Sequence, residues 1–209
     1  MQRGKFITFE GGEGAGKSTQ AKRLAEHLER NGIATLVTRE PGGTALGEDI
    51  RGLILKDIPQ DPLTELLLFA AARAEHMTAV IRPALDEGTW VVSDRFIDST
   101  RVYQGKLYSI EPELIAQLER YTVGHDFPDL TLILDLPAEA GLERASSRGT
   151  LSRYDAARIE THETLRRGFL EIATAEPKRC VLIDGHLPVE SVATAVWQAV
   201  HQRLLGVVM

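Results

Sequence analysis

The chain has 209 residues, 43% hydrophobic and 26% charged, a balance that excludes intrinsic disorder. Its 24 Lys and Arg stand against 30 Asp and Glu, and a net charge of −6 excludes a surface built to wrap nucleic acid, leaving only a local basic pocket. One cysteine, no Cys/His group with metal-ligand spacing and no apolar run near the ~20 residues of a bilayer span exclude a disulfide scaffold, a zinc module and a spanning helix.

In chain order, short β-rich runs alternate with helical patterns. The N-terminal MQRGKFITFEGG reaches glycine before a signal-peptide core could form, so a cytoplasmic protein is expected. The first strand is expected over Lys5–Glu10, and a helix over Thr19–Arg30 with Asn31-Gly32 as its stop. Further strands are expected over Ala34–Arg39, Thr89–Asp94, Leu130–Leu136 and Cys180–Asp184. The runs WVVSD, LTLILDL and CVLID are apolar nearly throughout, as in strands buried on both faces of a parallel sheet. Residues 186–205 read as a closing amphipathic helix. No linker or repeat divides the chain, and the expected architecture is one α/β domain over residues 1–209.

The chemistry begins directly after the first strand. Gly11-Gly12-Glu13-Gly14-Ala15-Gly16-Lys17-Ser18 matches G-x-x-x-x-G-K-[ST] and opens the helix TQAKRLAEHLER, the context this phosphate cradle requires. Glycines let backbone N–H groups turn toward phosphate oxygens, and the helix N-terminus adds its positive end. Lys17 is expected to reach the β- and γ-phosphates of a nucleotide and Ser18 to ligate Mg²⁺. Glu13 in this cradle would repel phosphate if it turned inward. It is expected to face outward, toward a hydrogen-bond donor such as a sugar hydroxyl, or else into solvent. The second strand ends in Thr38-Arg39-Glu40-Pro41-Gly42-Gly43-Thr44, at the sheet edge where open α/β folds bind ligands. The third ends in Asp94-Arg95-Phe96, a carboxylate suited to organising a metal shell and an arginine able to bridge two phosphates or to sit in a structural ion pair.

In TELLLFAAARAEHM, Leu66, Ala70, Ala74, Met77 and Ile81 form one apolar stripe, while Glu65, Phe69, Arg73 and His76 share a different, polar face. A phenylalanine beside an arginine on such a face suits stacking on a planar base, or packing at a subunit contact. Residues 141–170 hold six arginines (144, 148, 153, 158, 166, 167) against Glu143, Asp155, Glu160 and Glu163, a lid-like basic segment or a salt-bridged helix. Cys180, inside a strand, is expected in the core. The six histidines form no cluster, and none carries an expected role.

Taken together, FEGGEGAGKST, TREPGGT, LLLFAAARAEH, DRFIDSTRVYQG, PDLTLILDLP and GLERASSRGTLSRYD resemble the bacterial thymidylate kinases, in family order from residue 5 to about 160. The resemblance implies the P-loop nucleoside monophosphate kinase fold: a five-stranded parallel sheet flanked by helices, with an Arg-rich lid near residues 141–160. It implies transfer of the γ-phosphoryl of ATP to dTMP with Mg²⁺, in a homodimer, with neither nucleic acid nor membrane as partner. By motif, Gly11 to Thr19 would hold ATP, with Ala15 in place of a P-loop arginine, so that Arg148 and Arg153 of the lid would supply catalytic charge alongside Lys17, Asp94 and Arg95. Phe69 would stack on thymine, Arg73 would bond its carbonyl, and Glu13 would accept from the 3′-hydroxyl. Arg95 would hold the acceptor phosphate, with Arg39 and Pro41 near it, and Thr100, Tyr103 and Gln104 would line the nucleoside pocket. Arg51, on the helix after TREPGGT, is expected either as a further phosphate contact or as a residue with no part in the site, and the family pattern places a cis bond at Glu40–Pro41. Ser152 before Arg153, Arg101-Val102 and Lys106-Leu107-Tyr108-Ser109 depart from that pattern. The rival readings are a kinase for another nucleoside monophosphate and an ATP-binding switch with no second substrate.

Overall fold

The computed structural model describes residues 3–56, 61–146 and 157–206. Five strands form one parallel sheet: β1 (Phe6–Glu10), β2 (Thr35–Arg39), β3 (Trp90–Asp94), β4 (Leu130–Asp135) and β5 (Cys180–Asp184), in the order β2-β3-β1-β4-β5. Each begins and ends within about one residue of the run that announced it. Nine α-helical segments among the described residues complete the fold: α1 (Lys17–Arg30), α2 (Ala45–Ile54), α3 (Pro62–His76), α4 (Arg82–Asp86), α5 (Ile97–Thr100), α6 (Pro112–Thr122), α7 (Ala138–Ser146), α8 (Ile159–Ala175) and α9 (Val189–Val200). Three stretches continue them with π geometry: Met77–Ile81 after α3, Arg101–Leu107 after α5 and His201–Leu205 after α9.

Because side chains alternate across a strand, β1 feeds two cores. Ile7 and Phe9 face α1 and α9, packing with Leu24, Leu28, Leu132, Leu134, Val196 and Val200. Phe6 faces the opposite layer, with Val91, Phe96, Ile97, Met77, Ile81 and Leu85. A third cluster joins Ile133 to Val102, Tyr103, Leu165, Phe169 and Cys180, so Cys180 is a core residue as expected. On the Phe6 face the two neighbours along β1 are polar and still fully buried: Thr8 pairs with Thr131 at 2.9 Å, and Glu10 accepts from Phe96 N and Ser99 Oγ. This polar seam runs toward the carboxyl edge of the sheet.

The register sets that edge. Phe9 and Arg39 both lie opposite Asp94, and Glu10 opposes Ile133, so Gly11, Glu40 and Arg95 leave the sheet side by side. The reading of α3 needs one correction. Of the apolar stripe, Leu66, Ala70, Met77 and Ile81 are buried but Ala74 is only half-buried, while on the polar face Glu65, Arg73 and His76 are buried as well. Spacing identified the face correctly, but burial of its polar groups depends on partners elsewhere in the chain. No helix among the described residues is long and apolar enough to cross a membrane.

Candidate active site

Gly16, with φ of 93°, turns the chain out of the cradle and into α1 without offering a side-chain cap. The first N–H groups of α1 therefore stay available for an anion, with no acidic residue in that turn to repel it. Gly14 (φ 70°) is required for a second reason, since a Cβ there would overlap the Gly141 carbonyl of α7. The cradle is thus braced against the helix that leads into the basic segment. Lys17 folds back within the loop, donating to Gly12 O at 2.6 Å and Gly11 O at 3.1 Å. Burial and the nearby Arg95 bring its ammonium down to about 8, against the opposing pull of Glu13, Asp94 and Glu10. Ser18, exposed at the mouth, donates to Asp94 Oδ2.

Arg95 occupies the centre. Its φ of 69° is a left-handed conformation that costs a non-glycine residue about 1–2 kcal/mol and directs the guanidinium back over the cradle. There Nη2 donates to Glu13 Oε1 at 2.6 Å and to the Tyr103 hydroxyl at 3.2 Å, while Nη1 reaches Gly11 O and Ser99 Oγ. Burial pushes the Glu13 carboxyl up, but Arg95, then Lys17 and the Tyr103 hydroxyl, outweigh it and hold Glu13 at about 2. Glu13 is therefore an anion at the wall of the cleft, paired with Arg95 rather than facing into solvent, and the sequence did not name that partner.

Glu13, Lys17, Ser18, Arg39, Glu40, Arg51, Asp94 and Arg95 surround a cleft of about 200 Å³. Arg39 is held by Glu48 at 2.8 Å, and Arg51 donates to Pro41 O at 2.9 Å beyond a cis Glu40–Pro41 bond. Arg51 sits below its usual range because of burial and then Arg39. Four cations crowd around one cleft, and two of them, Lys17 and Arg51, have their charge disfavoured by burial and by neighbouring arginines, which makes a receptor for a multiply charged anion.

Beside this cleft lies the α3 face. Phe69 is half-buried against Ile50, Ile54 and Ala72. Arg73 donates through Nε to Glu40 Oε2 at 2.7 Å, and through Nη2 to Thr100 Oγ1 at 2.9 Å and Phe96 O at 3.2 Å. Gln104 is buried, with its amide on Glu65 Oε1 at 2.7 Å. Of the segment 141–170, Arg166 grips Asp135 through two contacts, which favours the salt-bridged reading for it, while Arg144 donates to the backbone carbonyl of Gly185. Arg148, Arg153 and Ser152 lie outside the described residues. The departure at Arg101 proves to be scaffold: its guanidinium joins Asp98, Glu119 and Glu176. The sequence placed Glu40 in the turn after the second strand and His76 on the polar face of α3 without giving either a role, and nothing marked His162; all three are buried at the edges of this site, and His162 Nε2 has no hydrogen-bond partner among the described residues.

Sheet order, cradle and flanking arginines define a P-loop kinase of the nucleoside monophosphate class. The family model for thymidylate kinase matches residues 9–196. A thymidylate kinase of Bradyrhizobium diazoefficiens is 52% identical over 208 residues, covering 97% of this chain and 91% of its own, and one from Rhodopseudomonas palustris is 52% identical over 209 residues with the same coverage. The crystal structure of a thymidylate kinase from Ehrlichia chaffeensis superposes with a TM-score of 0.76 at 36% identity, covering 95% of this chain and 99% of that one. The chain belongs to the thymidylate kinase family, whose phosphate donor is ATP.

Proposed function

We propose that this protein transfers the γ-phosphoryl group of ATP to dTMP, giving dTDP and ADP for dTTP synthesis. The observation that carries the reading is the meeting of two half-sites on one sheet edge: the Gly11–Thr19 cradle with its cationic cleft, and the buried arginine and half-exposed phenylalanine of α3 beside it. Phosphoryl transfer needs positioning and charge neutralisation far more than covalent chemistry. Backbone N–H groups of Gly12 to Ser18 and of Thr19 take the ATP phosphates. Lys17 leaves its two carbonyl acceptors for the β- and γ-oxygens, and phosphate raises its lowered proton affinity again. Ser18 Oγ and Asp94 are hard oxygen donors, and no group of three His, Cys, Asp or Glu among the described residues competes with them, which suits a Mg²⁺ held mainly by phosphates and water. When bound, that ion would shield charge between the two nucleotides.

Arg95, with Arg39 and Arg51 near it, holds the acceptor phosphate. The acceptor is already anionic, so no general base is needed and Asp94 serves the metal shell. Glu13 accepts from the sugar 3′-hydroxyl, Phe69 stacks on the base, Arg73 donates to a base carbonyl, and Pro41, Thr100, Tyr103 and Gln104 shape the wall. Arg148 and Arg153 belong to a lid at about 141–160 of a single domain spanning residues 1–209, and they bring charge to the migrating group. A cytoplasmic homodimer completes the reading, supported by exposed Leu46 and Leu53 on α2 and Leu63 and Leu67 on α3.

The test is ADP formation with ATP, Mg²⁺ and dTMP in the wild type, Lys17→Ala and Phe69→Ala. Phe69 is preferred to Arg73 because truncating Arg73 would leave the buried Glu40 without its cation. Strong dTMP-dependent turnover, abolished in Lys17→Ala and with a raised KM for dTMP in Phe69→Ala, is expected. ATP binding without dTMP-dependent turnover would leave the cradle and remove the acceptor site.

A further inference from the structure

A chain of polar contacts runs beneath the base-facing side of α3, and the phosphoryl chemistry does not use it. Thr38 Oγ1 meets His76 Nε2 at 2.7 Å, and His76 Nδ1 meets Glu40 Oε1 at 3.1 Å. Glu40 Oε2 accepts from Arg73 Nε at 2.7 Å, and Arg73 Nη2 ends the chain on Thr100 and Phe96 O. Glu40, Arg73 and His76 are at most 5% exposed. The loop after β2 is shaped around it, since a Cβ on Gly43 would overlap the His76 ring.

The donor inventory fixes the roles. A carboxylate only accepts, so His76 Nδ1 carries the hydrogen toward Glu40 and, in the neutral ring, Nε2 accepts from the Thr38 hydroxyl. Glu40 in turn has one oxygen on His76 and the other on Arg73, so neither it nor the guanidinium can swivel without stranding a buried group. With Nε and Nη2 engaged, the guanidinium plane is set and Nη1 is its remaining nitrogen. A guanidinium has donors only: a base carbonyl satisfies it, whereas an exocyclic amino group presents donor to donor. That contrast discriminates only while the fork is held, because a loosened arginine can turn aside and admit a bridging water.

We infer that His76 is a positioning residue for base selection: acting through Glu40, it holds Arg73 in the one orientation that favours an oxo-pyrimidine over an amino-pyrimidine monophosphate. This rests on the reading of Arg73 as the base contact, and the experiment separates the two. Initial rates are measured with dTMP and with dCMP at saturating ATP, and with ATP varied at saturating dTMP, for the wild type, His76→Leu, His76→Asn and His76→Gln. Asparagine places an amide N–H where Nδ1 stands and keeps the Glu40 bond; leucine removes it; glutamine reaches the Nε2 position instead. His76→Leu is expected to raise the KM for dTMP and lower the dTMP:dCMP ratio of kcat/KM by roughly tenfold each, with the KM for ATP changed less than twofold. His76→Asn recovers both to within about threefold, and His76→Gln does not. Should His76→Leu fail to fold, by circular dichroism, the Asn and Gln variants decide between them. An unchanged dTMP:dCMP ratio in a folded variant lacking the Glu40 bond overturns the inference, as does an equal rise in both KM values or an Asn variant as impaired as Gln. A wild type without dTMP-dependent turnover overturns the underlying reading instead.

Discussion

At the residue scale, the site holds charged groups that the fold would be more stable without. The Lys17 ammonium is buried, hydrogen-bonded among the described residues to two loop carbonyls, and brought down to about 8. A buried cation so placed serves the ligand rather than the chain. Lys17→Met should therefore melt at or above the wild-type temperature at pH 7 while losing at least ~10²-fold in turnover; a midpoint several degrees lower would show that Lys17 is structural. Glu10 makes a complementary prediction. Burial, and then the neighbouring Asp98, push its carboxyl up to about 7, although Phe96 N and Ser99 Oγ both donate to it. Unfolded, it releases its proton near the ordinary 4.5, so between these values the folded chain binds more protons than the unfolded one. Its contribution to stability is full below about pH 4.5 and declines as pH rises through 7. Urea titrations of the wild type and Glu10→Gln should show the wild-type advantage shrinking from pH 5 to pH 8, and a difference that is flat or grows with pH would contradict this assignment.

At the element scale, strands and caps were legible and the seams between elements were not. An apolar run such as LTLILD declares a strand buried on both faces, and Gly32, with φ of 77°, stops α1 where Asn31-Gly32 announced it. The π stretches over Met77–Ile81 and Arg101–Leu107 carry no periodic signature, since each is a local widening of a helix that the apolar pattern continues across. Phe69 and Arg73 stood out by spacing, yet the burial of that face depends on Thr38, Glu40 and Gln104, which spacing along α3 cannot reveal. Arg101 departs from the family motif, and its structural role was not legible because its partners Glu119 and Glu176 lie 18 and 75 residues away. The same network holds Asp98, fully buried and gripped by Arg179 through contacts of 2.7 and 2.9 Å. Arg179→Met strands that carboxylate and should destabilise the chain by about 3–5 kcal/mol in urea unfolding. Arg101→Met, whose guanidinium is a quarter exposed and leaves Asp98 still paired, should lose less than half as much. Equal losses would mean that Asp98 relies on both arginines alike.

At the scale of the whole molecule, a chain of net charge −6 gathers Lys17, Arg39, Arg51 and Arg95 around one cleft, so the anion site is a local feature against an acidic surface. The apolar surface is also uneven. Leu46 and Leu53 stand seven residues apart on α2, Leu63 and Leu67 four apart on α3, and all four are about half exposed on two helices packed against each other. Both spacings keep each pair on one helix face. An apolar patch on adjacent helices fits a two-fold contact between copies, the commonest closed assembly. It also bears on the chemistry, because Leu67 lies two residues before Phe69 and six before Arg73 on α3, and Leu53 flanks the Ile50–Ile54 cluster on which Phe69 rests. A partner seated there would brace the base-facing helix from behind without touching substrate. On the proposed dimer, the wild type should sediment at the mass of two chains and Leu63→Glu/Leu67→Glu at that of one, with its circular dichroism unchanged. Its KM for dTMP should rise severalfold while ATP binding, which depends on the cradle across the sheet edge, stays as it was. A double variant that still sediments as a dimer would place the contact on another face. One that becomes monomeric with dTMP kinetics intact would show that α3 holds its geometry through the Glu40–Arg73–His76 seam alone.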